Sequence, residues 1–473
     1  METFTESRAA GQAGAQGRER QGAWARRLPW LVVLVAIAGL GVREVADPDL
    51  WWHLATGRYI VSQRSIPATD VFSFTARDHR WVTHEWLSDL LLYGGYQLFG
   101  LNGLAVVFGG VIAISFGLVC ARCSAPPSVA AWAVLLGAVA SAMTWGVRPQ
   151  MLSLLFASLY LYILEKRPER VWLLPPLALL WANLHSGFVS GLVILAVFAV
   201  AAELSWLASR APGQRLLGAW PRRLALVFLA SVACSLVTPN GVSAALFPFG
   251  TLSNRLIQSY IQEWFSPNFH RPWAWPLAAY LLALLATLGA STRRPRLDQV
   301  LLLLGAAAAG LYSTRHVTFL SLIGAPLLAE QTVAAVPGIA AWSGRPRRKL
   351  PWPMRLVLAV GVVALVVALG VRVSNMVKAN ARLGETRYPA AALAYVREHN
   401  LGGRILHTYH WGGYLIWQGY EVFVDGRAEL YGDETLGEYL EAFGVRPGWE
   451  EPLRKYDVDV ILTESGEPFA VLL

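Results

Sequence analysis

Apolar residues along this chain gather into long runs separated by short, basic connections. The runs cover roughly 28–42, 101–121, 128–147, 149–164, 171–186, 188–208, 224–240, 273–291, 298–313, 317–335 and 353–374. An α-helix needs about 20 residues to cross about 30 Å of hydrocarbon, and most of the runs approach that length. The pattern predicts an all-α polytopic membrane bundle of about eleven transmembrane helices. A further apolar stretch, 86–100, is short. It is read as an interfacial helix on the outer surface that leads into the second span.

Charge gives the bundle a direction. With the N-terminus inside, 21 of the 40 Lys and Arg residues fall on inside segments, nine on outer loops before residue 372 and ten beyond it. This bias follows the positive-inside rule, and an odd number of spans sends the C-terminus outside. Residues 1–27, with five arginines among Gly, Ala and Gln, read as a disordered cytoplasmic arm. The first run lacks a small-residue cleavage pattern and is read as a retained helix in a transmembrane region 28–374. Two outer segments are long, 43–100 and 241–272. Residues 375–473 change character, with strand patterns at 404–409, 421–425 and 458–463 between helical stretches. They predict a small C-terminal α/β extracytoplasmic domain with a mainly parallel sheet. The chain ends at Leu472-Leu473 inside an element, so an incomplete domain is expected.

Composition agrees: 55% of the 473 residues are hydrophobic and 15% charged, against about 45–50% and about 25% in soluble domains. Twenty tryptophans suit interfacial belts. The net charge of +9 does not point to nucleic acid, because the basic residues sit at the ends of apolar runs rather than in one patch. Cys120 and Cys123 form a lone C-x-x-C, short of the four ligands of a structural zinc site. The chain has only three cysteines, which supplies no disulfide framework.

The chemistry concentrates on the outer side. Asp47-Pro48-Asp49-Leu50-Trp51-Trp52-His53 places two carboxylates two residues apart, directly after the first span. Such a pair is a candidate oxygen site for a divalent cation such as Mg or Mn, or a source of a general base. A plainer role for Asp49 is N-cap of a helix starting near Leu50. Thr83-His84-Glu85-Trp86 opens the interfacial helix, where Thr83 as cap and Glu85 against the helix dipole are the plain readings. Arg148, His185, Asn240, Arg315 and His316 all mark outer helix ends. Ionisable groups at membrane depth usually face a polar cavity, and arginines there suit a phosphate. The stretch containing Glu263 is placed to cover such a cavity. No hydrolase triad, H-E-x-x-H zinc motif, P-loop or dinucleotide fingerprint is present.

This organisation resembles the GT-C superfamily of membrane glycosyltransferases, which use polyprenyl-phosphate-linked sugars on the non-cytoplasmic side. The shared features are a first helix, a long first outer loop with an acidic motif, an interfacial helix, about eleven spans and an outer C-terminal domain. More closely, the chain looks like a group of uncharacterised bacterial membrane proteins that share Asp47-Pro48-Asp49-Leu50-Trp51-Trp52-His53, His84-Glu85-Trp86-Leu87 and Arg148-Pro149-Gln150. They also share Asn183-Leu184-His185-Ser186-Gly187, His410-Trp411-Gly412-Gly413-Tyr414 and Asp425-Gly426-Arg427. The resemblance implies an inverting transferase in the bacterial plasma membrane. Asp47 or Asp49, with Glu85 as the alternative, would be the base. A phosphate would lie near Arg148, Arg315 or His316, and His53 and His84 would bind the donor. The acceptor is not implied. Two rival expectations are a transporter or flippase of a lipid-linked or anionic substrate, and a non-enzymatic scaffold presenting Asp425-Gly426-Arg427 and 409–414 as a contact surface.

Overall fold

The computed structural model describes residues 28–210, 218–336, 338–339 and 351–472. The N-terminal arm, part of the basic connection 210–223 and the basic connection 345–349 lie outside the described residues. Each of the eleven apolar runs contains a helix. In chain order the helices are α1 (Leu28–Gly41), α2 (Leu50–Gln63), α3 (Trp86–Arg122), α4 (Pro127–Ser141), α5 (Gln150–Lys166), α6 (Leu174–Leu184) and α7 (Phe188–Ser209). They continue with α8 (Ala219–Ser235), α9 (Val242–Ser253), α10 (Arg255–Tyr260), α11 (Trp275–Ala290), α12 (Leu297–Tyr312), α13 (Val317–Ala335) and α14 (Trp352–Ala381). Among the described residues, six helices are long and apolar enough to cross a membrane. The chain is a helical membrane protein.

The stretch expected to be an interfacial helix and the run that follows it are one element, α3, broken at Gly100 (φ 62°, ψ −171°). Only glycine adopts that backbone readily, so the break falls where the sequence changes from interfacial to membrane-like. α13 sits at the centre, against α4, α11 and α12. Small residues permit the close approach: a Cβ on Gly137 of α4 would touch Ala325 of α13 at 3.4 Å. α14 lies at the periphery, with only 6% of its apolar window buried. At the opposite helix ends, read as the inner side, Arg122 is no free charge. It is buried, gives Glu165 two hydrogen bonds of 2.9 Å and donates to the Leu322 carbonyl at 2.7 Å, tying α3, α5 and α13 together.

Beyond α14, β1 (Arg404–His407) and β2 (Val458–Leu462) pair in parallel. The expected strand at 421–425 shrinks to one bridged position. Val422 pairs in parallel with Ile405 on one side and with Ser73 of the long loop after the first apolar run on the other. The extended run stops at Asp425, whose Oδ1 accepts from the Arg427 backbone N–H at 2.9 Å and turns the chain. The C-terminal segment is therefore stitched to the long loop that follows the first apolar run. Phe74 N–H donates to the Val422 carbonyl at 3.2 Å and Val422 N–H to the Phe72 carbonyl at 3.1 Å.

Candidate active site

One cavity of about 910 Å³ is lined by Asp47, Asp49, His53, His84, Glu85, Arg148, His185, Arg315 and His316. Four separate stretches converge on it: the 43–85 loop, the ends of α5–α7 and α12–α13 that face that loop, α9 with Trp264, and the turn at Gly426-Arg427 that roofs it. Of the predicted residues, Asn240 and Glu263 do not line it. Asn240 belongs to the turn before α9, where its carbonyl accepts from Ser243 N–H at 3.0 Å. Glu263 acts on the cavity through Arg148.

The two aspartates have different surroundings. Asp47 accepts from Arg148 Nε at 2.8 Å and, through its other oxygen, from the Asp49 backbone N–H at 3.0 Å. Arg148 also pairs with Glu263. Asp49 occupies the N-cap position of α2 but makes no side-chain cap hydrogen bond. Its carboxylate instead faces Gly426, where a Cβ would overlap Oδ1. Burial, with Asp47 alongside, pushes the Asp49 carboxyl up to about 7, against the pull of Arg148 and His53. Such a group can hold or release a proton near neutrality. Burial would also raise Glu263, but Arg148 and Arg315 keep it below the usual carboxylate value.

The cation expectation for Asp47 and Asp49 does not fit this donor set. Arg148 already engages Asp47, and among the described residues no group of three or more His, Cys, Asp or Glu is placed to hold an ion. Arg148, the first arginine expected near a phosphate, is engaged by two carboxylates, Asp47 and Glu263. Arg315 makes no ion pair among the described residues. Its guanidinium lies 4.6 Å from the centre of the Trp264 ring, and Trp264 lines the cavity, which leaves Arg315 available to an anion.

The capping role read for Thr83 gives way, while Glu85 does sit at the N-cap of α3, against its dipole. Thr83 donates to the Pro67 carbonyl at 2.6 Å, and Glu85 makes no cap hydrogen bond. Glu85 is surrounded instead by three imidazoles, His185 Nε2 at 3.4 Å, His84 Nε2 at 3.5 Å and His53 Nε2 at 3.6 Å. Burial acts to raise its carboxyl, yet His84, His185 and His53 hold it far below the ordinary range. His185 Nδ1 accepts from Gly187 N–H at 2.7 Å, so its proton sits on Nε2, toward Glu85.

Away from these polar groups, the cavity continues as an apolar trough. Val189, Val193 and Val197 of α7 line it on one side, and Leu301, Gly305 and Ala309 of α12 on the other. Eight residues of helix on each side make it about 12 Å long. The first turn of α7 and the last of α12 lie at the polar end, and Val193 midway along is 55% exposed, so the trough runs away from the polar groups along an open face of the bundle.

Several lining groups escaped the sequence reading. Asp89 reads as one acid in an apolar helix, although its spacing of four from Glu85 puts both on one face. Glu429 is not singled out by the sequence, and Gly426 and Arg427 stand out only as part of a shared motif, with no local signal toward Asp49. Within Asp425-Gly426-Arg427, the Asp425 and Arg427 side chains are buried and present no exposed contact surface. The chain matches no protein-family model and no curated protein.

Proposed function

We propose that this protein is an inverting membrane glycosyltransferase that moves a sugar from a polyprenyl-phosphate donor to an acceptor hydroxyl on the non-cytoplasmic face. In this reading eleven helices span a bacterial plasma membrane in a GT-C-like arrangement, and the C-terminal α/β unit is extracytoplasmic. The observation that carries it is the two-part cavity. A proton-handling carboxylate and an arginine that makes no ion pair among the described residues lie at one end, and an apolar trough leaves from the same space. An amphiphile with an anionic head and a hydrocarbon tail matches that profile.

Asp49 takes the acceptor hydroxyl proton as the oxygen attacks the anomeric carbon. Asp47, Arg148 and Glu263 hold the backbone and charge beside it. Arg315 faces the phosphate, where charge grows as the bond to the sugar breaks. The roof at Gly426 limits water around the reacting atoms.

The test is transfer of radiolabelled sugar from polyprenyl-phosphate donors by the purified full-length protein in lipid nanodiscs. Wild type is expected to transfer and Asp49→Asn to lose at least about 100-fold in rate, the scale of a lost general base. Full activity in Asp49→Asn would remove this carboxylate from the mechanism.

A further inference from the structure

Asp89 is fully buried in α3, and one of its oxygens, Oδ2, has no hydrogen-bond partner. Its other oxygen lies 2.6 Å from His53 Nδ1. The opposite ring nitrogen, Nε2, faces Glu85 Oε2 at 3.6 Å. Both nitrogens of one imidazole thus meet carboxylate oxygens. Ionised carboxylates only accept hydrogen bonds, so the arrangement is satisfied when both nitrogens carry hydrogen and the ring is cationic. Trp52 lies over the ring at a centroid distance of 3.6 Å and restricts its rotation.

The Nδ1 contact is a full hydrogen bond, while the Nε2 contact is longer than one. Nε2–H is therefore oriented and charged but not consumed, and His53 lines the cavity. The charged and titratable groups around it are Asp49 beside α2, Glu85 and Asp89 on α3, and, beyond Glu85, His84, His185 and Arg148.

We propose that Asp89 is a positioning residue that holds His53 as an imidazolium, and that His53 Nε2–H is the donor that receives the phosphoester oxygen leaving the sugar. The role rests on the transferase reading above. In that reaction the acceptor O–H proton passes to Asp49 as the acceptor oxygen bonds to the anomeric carbon. The anomeric C–O bond to phosphate breaks, and its electron pair stays on the phosphate oxygen. That oxygen accepts the hydrogen bond from Nε2–H, and His53 keeps its proton throughout. An uncharged Asn at 89 could still accept from Nδ1–H but would no longer stabilise the cation.

The experiment has two readouts on the full-length protein. Two-bond nitrogen–proton correlation spectra of histidine-labelled protein report the charge of His53, assigned by the signal lost in His53→Gln. The wild-type ring is expected to be protonated on both nitrogens at neutral pH, and the ring in Asp89→Asn to be neutral. In the sugar-transfer assay, Asp89→Asn is expected to lose about 100-fold in kcat with little change in the donor KM, and Asp89→Glu to recover part of it. A neutral His53 in wild type overturns the proposal even if Asp89→Asn fails to fold. So does an unchanged spectrum or kcat in a folded Asp89→Asn. A wild type that transfers no sugar overturns the transferase reading and with it the role at the leaving group, while the spectra still decide whether Asp89 holds His53 as a cation.

Discussion

The Arg427 guanidinium donates to the Asp70 carboxylate at 2.7 Å, joining residues 357 positions apart in the chain. The same guanidinium gives two hydrogen bonds to Asp425, at 2.8 and 2.6 Å, and all three side chains are buried. Tyr431 and the rings of Phe72 and Trp81 enclose it. This network holds the C-terminal segment on the long loop after the first apolar run and so fixes the roof above Asp49.

Arg427→Met would leave Asp70 and Asp425 buried without a counter-charge, at a cost of about 3–5 kcal/mol. Hydrogen exchange should accelerate in 70–75 and in both C-terminal strands, while the span helices keep their protection. Unaltered exchange in those strands would mean the network does not hold the segment in place.

Asp49 links pH to both stability and rate. Its carboxyl is moved up to about 7 by folding, mainly through burial. Between its unfolded value, about 3.9, and about 7, the native state binds a proton that the unfolded chain has released. This group's contribution to stability therefore falls as pH rises through that window. Asp49→Asn should gain thermal stability over wild type near pH 8 and little near pH 4. For wild-type transfer, kcat/KM should rise with pH along a limb near 7. A flat profile together with an unchanged stability difference would dissociate Asp49 from both effects.

Gly426 leaves room for the Asp49 carboxylate, and a Cβ there would overlap Oδ1. Gly426→Ala is expected to displace Asp49 and lower transfer at least about 10-fold, the scale of losing part of a positioned base. Its size-exclusion profile should match wild type. Full activity would show that the roof does not constrain the carboxylate.

The trough is open at Gly305, where an added Cβ meets no atom within 4 Å. Gly305→Phe should fill it without disturbing the helices. The expected result is a raised KM for long-chain polyprenyl donors and an unchanged KM for a short-chain analogue. Equal KM values for both donors in wild type and variant would exclude the trough as the tail site.

The sequence alone determined the helices, because apolar run length is a one-dimensional property set by the cost of exposing polar backbone to hydrocarbon. It also marked Asp47, Asp49, Glu85, Arg148 and Arg315, since ionisable residues at the ends of apolar runs stand out wherever they lie. Tertiary structure alone decided how those residues differ. Asp47 is paired with Arg148, Asp49 makes no ion pair among the described residues and faces Gly426, and Asp89 holds His53 at the cavity wall. Each distinction depends on partners from distant segments, and the charge state of a buried group is set by what surrounds it in space rather than by its neighbours along the chain.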